Sequence, residues 1–247
     1  MKKLILFFSY CFTTLVAAQN VPSYVPTNGL VGWWPFLGNA NDHSRNGNHG
    51  IVNGASMTSD RFGNSNSAYS FDGVNDFIDV PYSSSLGIQQ FFTSSVWIYM
   101  DGGSCNPRIY EINENLNCGG YTLGFNGGQS GKRTFHTVNF GSCTNTIGIT
   151  GSNVSVSTHS WHHIAVVFDG VEGKGMLYVD GKLAFTSRGS ALPTINYSGA
   201  SLCIGNIAQN RCDWWGGKID DLGIWNRALT PVEIQSLYNG KLKWPKP

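Results

Sequence analysis

Charge is scarce in this sequence. Asp, Glu, Lys and Arg make up 13% of the 247 residues, against about 25% in ordinary soluble domains, and 16 basic residues nearly balance 15 acidic ones. The sequence has no block of one sign, so its charge pattern does not point to nucleic acid or to an anionic membrane surface as a partner. It also lacks a long apolar run beyond residue 18, so we expect no membrane insertion of the mature chain.

The N-terminus is typical of a secretory signal peptide. Met1–Lys3 carries positive charge, Leu4–Val16 is apolar but shorter than the about 20 residues of a spanning helix, and Ala17-Ala18 offers small residues for cleavage before Gln19. We expect a secreted or cell-surface protein. The predicted organisation is a signal peptide at 1–18, a lead-in at 19–27, one folded domain at 28–240 and a tail or linker at 241–247.

The rest of the chain is rich in glycine, with 31 residues, and its short apolar or alternating runs end in turn residues. About a dozen such runs at this spacing predict an all-β sandwich or barrel. Asp180-Gly181 gives the strongest hairpin signal, because a type I′ turn needs positive φ at both central residues. The predicted strands are Ser67–Asp72, Phe77–Val80, Phe92–Met100, Arg108–Ile112, Tyr121–Phe125, Thr134–Phe140, Trp161–Phe168, Gly175–Val179, Lys182–Thr186, Ser201–Gly205 and Lys218–Trp225.

One helix is predicted near the C-terminus. Thr230–Glu233 provides an N-cap, a proline at the first helical position and a capping-box acid, and Gly240 ends the helix. The apolar stripe that should pack on the sandwich consists of Ile234, Leu237 and Tyr238.

Cysteine is limited to six residues, of which five follow the signal peptide. Their spacing does not match a zinc site, and in an oxidising compartment they should pair. The hairpin of Tyr121–Phe125 and Thr134–Phe140 brings Cys118 and Cys143 together, which predicts that bridge. Cys203 and Cys212 flank a short turn and form the second predicted pair, and this leaves Cys105 free or intermolecular.

Several motifs resemble those of the laminin-G-like, concanavalin A-like jelly-roll domains of secreted bacterial proteins. The resemblance covers roughly Asn28–Gly240 and implies a two-sheet antiparallel β-sandwich with one short C-terminal helix. That fold hosts lectins, adhesion modules and glycosidases, so it leaves the function open. The motifs are Gly29–Phe36, Asn39–Asn48, Tyr69–Gly73, Asp76–Ile78, Trp161–Val166, Leu177–Lys182 and Gly217–Thr230.

The resemblance also implies a structural calcium ion where the loop after the first strand meets the last strand. In this sequence its ligands would be Asp42, with Asn39 or Asn48, and Asp220. Carboxylate and amide oxygens suit calcium, which takes six to eight hard ligands. The alternative is an Asn- and Gly-rich loop that serves only its turns, with Asp220 bonded to backbone.

Familiar catalytic patterns are weak. Tyr110–Glu114 is the stretch closest to the Glu-x-Asp-x-x-Glu motif of related glucanases, but it has Asn113 in place of Asp and its spacing differs. His162 and His163 are neighbours on a strand and face opposite ways, which excludes a two-histidine metal clamp. One of them should be a half-buried histidine beside a core Trp161.

Aromatic side chains are the better functional signal, because they cover the apolar faces of sugar rings. Trp214, in the turn before the last strand, is the leading ligand-binding residue, and Tyr110 and Tyr82 border other loops. We therefore predict a module that binds carbohydrate or glycosylated surfaces. The alternatives are an adhesion domain that binds an extracellular protein and, third, a glycoside hydrolase.

Overall fold

Two antiparallel β-sheets pack face to face in the computed structural model. The structure describes residues 21–88, 90–103, 106–115, 118–126, 134–137, 153–189, 199–206 and 213–240. The predicted signal peptide, Cys105, Cys143, Cys212 and the predicted tail therefore lie outside the described residues. In the described part no helix is long and apolar enough to cross a membrane.

Fourteen strands, one 3₁₀ turn at Ser84–Leu86 and one helix make up the described elements. They are β1 (Leu30–Trp34), β2 (Ile51–Asn53), β3 (Ser56–Thr58), β4 (Ala68–Asp72), β5 (Phe77–Val80), β6 (Phe91–Gly103), β7 (Arg108–Asn115), β8 (Cys118–Asn126), β9 (Thr134–Thr137), β10 (Trp161–Asp169), β11 (Lys174–Val179), β12 (Lys182–Arg188), β13 (Leu202–Ile204), β14 (Trp215–Trp225) and α1 (Pro231–Asn239).

The sheets differ in size. The large sheet has the order β12-β11-β10-β6-β14-β4-β3, and β1 also pairs with β14. The small sheet has the order β2-β5-β13-β7-β8-β9. This arrangement confirms the predicted two-sheet sandwich with one short C-terminal helix.

Alternation along the strands builds the main core between the sheets. On β6, Val96, Ile98 and Met100 face inward, and on β10 so do Ile164 and Val166. Each is essentially inaccessible to water. Because side chains on a strand alternate between faces, the residues between them project from the outer face of the large sheet.

A second apolar cluster covers one part of that outer face. Ile234 and Leu237 of α1 pack there with Trp33 and Trp225, and Val25 of the N-terminal lead-in joins them. The predicted helix and its apolar stripe are confirmed, and Tyr238 lies at the edge of this cover, stacked on Trp97 with the ring centroids 5.7 Å apart.

The local turn signals are also confirmed. Asp180 and Gly181 have φ of 49° and 74°, as a type I′ turn requires. Thr230 and Glu233 form a reciprocal capping box at the start of α1.

Only some of the cysteines in the predicted bridges lie within the described residues. Cys203 is a buried free thiol in the middle of β13, so the structure does not contain the predicted Cys203–Cys212 bridge, and Cys212 itself is outside the described residues. The Cys118–Cys143 bridge stays a prediction for the same reason. Burial raises the pKa of the Cys203 thiol to about 12, with Asp79 and Glu111 adding to the shift, so this thiol is unreactive.

The capping box predicts a pH dependence of stability. Hydrogen bonds from Arg227 lower the pKa of Glu233 to about 2, and the Thr230 backbone and hydroxyl add to this. A carboxyl with a lowered folded pKa stabilises the fold above its unfolded pKa of about 4.3 and loses that contribution as the pH falls toward 2. Glu233→Gln should therefore lower the melting midpoint at pH 7, and the gap from the unsubstituted protein should shrink with acid.

The control for this substitution is Val232→Ala on the exposed side of α1. It should shift the midpoint little and equally at every pH. A Glu233→Gln gap that stays constant down to pH 2 would contradict the assignment of the ion pair.

Candidate functional site

The uncovered part of the large sheet's outer face carries a row of aromatic residues. Trp161 of β10 is opposite Tyr99 of β6, and Tyr99 is opposite Lys218 of β14. The next row along the strands places Trp97 opposite both His163 and Asp220. Strand pairing therefore brings together residues that are more than 100 positions apart in sequence.

Trp161 and Trp97 of these rows form one wall of an open cleft of about 340 Å³. The helix end and the loop before β4 close its other sides. Its lining residues are Arg61, Phe62, Trp97, Trp161, Tyr238, Asn239 and Gly240.

Arg61 forms the floor of the cleft. Its guanidinium lies 4.5 Å from the ring centroid of Phe62 and 4.4 Å from that of Trp97. Nη2 donates to the Gly240 carbonyl at 3.2 Å, which links the floor to the end of α1. The loop that carries Arg61 is fixed by Asp60, whose carboxylate accepts the backbone N–H groups of Phe62 and Asn64.

Two buried carboxylates share the Arg61 guanidinium. Nη1 lies 2.8 Å from Asp220 and 2.8 Å from Asp221, and all three side chains are almost fully buried. One cation cannot neutralise two buried anions. Burial, and then Asp221, raise the pKa of Asp220 well above its ordinary value, while Arg61 opposes the shift. Burial raises the pKa of Asp221 as well, against the effect of Arg61, so the proton is taken up by the coupled pair and not by one assigned carboxyl.

The two neighbouring histidines have separate environments, which confirms that they face opposite ways. His163 is fully buried, shares a 2.8 Å hydrogen bond with the Ser95 hydroxyl and lies against Trp97. Burial lowers its pKa to about 3, with Arg61 adding to the shift, so it is neutral. The expected half-buried histidine is His162, which is 17% exposed. The expectation of a core Trp161 was wrong, because Trp161 is half-buried and lines the cleft.

The three predicted ligand-binding aromatics lie apart from this cleft. The structure corrects the prediction that Tyr110 borders a loop and binds ligand. Its side chain is fully buried between the sheets and its hydroxyl donates to the Ser94 hydroxyl, because alternation turns it inward on β7. Trp214 is half-buried beside Phe77, with 6.3 Å between the ring centroids. Tyr82 is exposed.

The proposed calcium ligands do not form one donor set. Asp42 is buried and its two oxygens accept four donors, from the Trp33 and Asn48 backbones and from the backbone and hydroxyl of Ser44. Those N–H and O–H groups occupy the positions that a cation would need. Asp220 belongs to the Arg61 cluster.

The two amides do not complete a metal site either. Asn39 accepts the Asn41 backbone N–H in an exposed turn, and Asn48 donates to the Val31 carbonyl. The residues described in the structure hold no group of three or more His, Cys, Asp or Glu side chains placed for a metal. The Asp42 environment thus does not fit calcium.

Glu111, in the stretch closest to a glucanase motif, lies on the outer face of the small sheet. Its carboxylate is 3.7 Å from Arg108 Nε, and its cross-strand neighbour is Cys203. It is therefore remote in the fold from the aromatic cleft, which is on the other sheet.

Comparison with known proteins now decides the family. The sequence profile described as concanavalin A-like lectin/glucanases superfamily matches residues 72–235, well over half of the chain. The chain belongs to this superfamily. Two curated relatives match shorter segments of the chain. They are human pentraxin-4, 32% identical over 91 residues, and a rat protein with sushi, von Willebrand factor type A, EGF and pentraxin domains, 28% identical over 89 residues.

The matched segments span 33% and 34% of this chain, but only 18% of pentraxin-4 and 2% of the rat protein. Among solved structures, domain 4 of the arabinanase AbnA from Geobacillus stearothermophilus, in complex with arabinotriose, is similar with a TM-score of 0.65. Its identity to this chain is 20%, over 85% of this chain and 98% of that one.

Two further structures share the concanavalin A-like fold. The binding domain of botulinum neurotoxin DC in complex with SialylT has a TM-score of 0.64 at 15% identity, over 87% of this chain and 51% of that one. A pentraxin from Limulus polyphemus has a TM-score of 0.54 at 16% identity, over 69% and 80%. The neighbours of this fold also include enzymes such as Trypanosoma rangeli sialidase.

The Asp42 geometry predicts how the loop responds to metal and to substitution. Asp42→Asn should destabilise the fold by about 2–4 kcal/mol, because an amide N–H₂ would face donors that now meet a carboxylate oxygen. Chelator should leave the melting midpoint unchanged. Asn39→Ala, in the same loop but exposed, serves as the control and should cost little. A midpoint that falls in chelator and recovers with calcium would contradict this account.

The Arg61 cluster predicts a pH dependence of stability that is opposite in sign to that of Glu233. A carboxyl whose folded pKa is raised binds its proton more tightly in the folded state, so its contribution to stability is lost as the pH rises through that folded pKa. The asparagine side chain introduced by Asp220→Asn carries no charge at any pH. Relative to the unsubstituted protein, the variant should gain stability as the pH rises above about 5, by at most about 1.4 kcal/mol per pH unit, until the folded pKa is passed.

Glu172→Gln changes an exposed carboxylate in the turn between β10 and β11 and serves as the control. Its offset from the unsubstituted protein should not vary over that range. Urea unfolding at several pH values measures both offsets, and an Asp220→Asn offset that falls with rising pH would overturn the proton assignment.

Proposed function

We propose that this chain is a secreted carbohydrate-binding module that holds its glycan in the aromatic cleft of the large sheet. The observation that supports this is the lining of the cleft, in which four aromatic side chains surround a shallow apolar surface and a polar rim. Sugar rings present apolar C–H faces to aromatic rings and hydroxyl groups to polar atoms. The cleft offers both kinds of contact.

The rings have different parts in this proposal. Trp97 is covered on one side by Tyr238 and contacts the Arg61 guanidinium, so it forms the rigid back wall. Trp161 meets the edge of Tyr99, with ring centroids 5.7 Å apart at 62°, and remains half-exposed. Phe62 is 46% exposed. Trp161 and Phe62 therefore supply the surface on which a sugar ring stacks.

Polar groups at the rim would orient the sugar. The Asn239 side chain lies at the end of α1, and Lys218 extends the row beyond Tyr99 with its ammonium 5.0 Å from the Tyr99 ring centroid. An amide provides both donors and acceptors for hydroxyl groups. Arg61 itself is held by its carboxylates and the Gly240 carbonyl, so it supports the rings and does not turn toward a ligand.

We propose that the module does not hydrolyse glycosidic bonds. Such hydrolysis requires two carboxyl groups on either side of the bond, about 5–10 Å apart. Of the cleft's lining residues in the described part of the chain, none is acidic, and Asp220 and Asp221 lie buried beneath Arg61. The similar AbnA domain in complex with arabinotriose supports a binding role.

Replacing one ring tests the proposal. Trp161→Ala should raise the Kd for a bound glycan roughly 30-fold, equivalent to about 2 kcal/mol, as for other central aromatic contacts. A glycan array that includes arabino-oligosaccharides and sialylated glycans selects the ligand, and calorimetry measures its Kd. The melting midpoint should change little, because Trp161 is at the surface.

Trp214→Ala is the matched control, since it removes an equal, half-buried ring that lies beside Phe77 and does not line the cleft. It should leave the Kd unchanged. Loss of binding in Trp214→Ala with retention in Trp161→Ala would place the site elsewhere. An array on which no glycan binds, together with capture of an extracellular protein that Trp161→Ala abolishes, would instead favour an adhesion domain.

A further inference from the structure

Four polar side chains at the start of β10 form a chain of hydrogen bonds outside the aromatic cleft. His162 Nδ1 is 2.9 Å from Asp180 Oδ2, and His162 Nε2 is 2.8 Å from Ser157 Oγ. Ser160 Oγ lies 3.1 Å from the same Nε2 and 2.7 Å from Ser157 Oγ. A carboxylate, an imidazole and a hydroxyl are thus connected in the order used by serine acyl-transfer centres.

We propose that Ser157, His162 and Asp180 form an acyl-transfer centre that accepts carboxylic esters. This site is separate from the proposed glycan cleft. Trp161 lines that cleft, whereas the neighbouring His162 projects from the opposite face of the strand and bonds Asp180 in the turn after β11. The inference therefore does not depend on the proposed function.

Asp180 is held rigidly in this arrangement. Its Oδ1 accepts the His163 backbone N–H at 2.9 Å, its own N–H donates to the His163 carbonyl, and its φ of 49° belongs to the type I′ turn. A fixed carboxylate that accepts the Nδ1–H of His162 leaves Nε2 as the acceptor nitrogen. The imidazole is then oriented as a base toward Ser157.

The serine side of the network lies on a strained turn. His159, between the two serines, has φ of 58°, an uncommon conformation for a residue other than glycine, and its N–H donates to the Met100 carbonyl of β6. Strain of this kind clusters at functional sites. Ser157 is exposed and His162 is only 17% exposed, so the nucleophile is accessible while its base is sheltered.

The reaction follows from these positions. Ser157 Oγ forms a bond to the ester carbonyl carbon as its proton passes to His162 Nε2. The bond from that carbon to the alkoxide oxygen then breaks, and the proton moves from Nε2 to the leaving oxygen to release an alcohol. Water attacks the acyl-Ser157 in the same way, which releases the carboxylic acid and restores the hydroxyl.

Fluorophosphonate labelling and p-nitrophenyl acetate hydrolysis by the full chain test the proposal. Mass spectrometry should find the label on Ser157. Ser157→Ala should abolish labelling, and Ser157→Ala and His162→Gln should each lower the hydrolysis rate by about 100-fold or more, the range of general-base contributions.

Ser155→Ala is the matched control, because it removes an exposed hydroxyl on the same segment but outside the network, and it should retain labelling. Unchanged melting midpoints show that each variant is folded. Absence of labelling in the unsubstituted protein, or labelling that persists in Ser157→Ala, would overturn the proposal. In that case the network only fixes the hairpin turn, and Trp161→Ala still tests the glycan cleft.

Discussion

The Arg61 guanidinium is the contact on which the outer face of the large sheet depends. It joins three distant parts of the chain, namely the loop before β4, the paired carboxylates of β14 and the Gly240 carbonyl after α1. Its planar group also lies against two aromatic rings. Arginine suits this position because it provides several donors in a fixed plane and stays charged when buried. A lysine could not make all of these contacts at once.

Much of the fold was predictable because local chemistry and the global architecture agree. The Asp180-Gly181 turn and the Thr230 capping box each depend on residues close in sequence, and both are present as predicted. Alternation located most of the strands, including Phe77–Val80 without error in its bounds. Strand order was harder to predict from the sequence, because the pairing of β6 with β14 joins residues more than 100 positions apart.

The site was harder to predict because exposure depends on which face of a strand meets the other sheet. Tyr110 was expected near a loop, yet its strand turns it inward to Ser94. Trp161 was assigned to the core, yet it is half-buried and lines the cleft. For the His162 network, one signal was available in the sequence. The turn between β10 and β11 fixes a register that continues to place His163 opposite Asp180, and this brings the neighbouring His162 close to that carboxylate.

A glycan titration followed through the ¹⁵N-labelled indole N–H resonances tests the central claim most directly. The chain has eight tryptophans, and single Trp→Phe substitutions assign each resonance. The account predicts that Trp161 and Trp97 shift with a common Kd while Trp214 and the buried Trp33 and Trp225 do not move. A titration that shifts Trp214 and leaves Trp161 and Trp97 unchanged would contradict it.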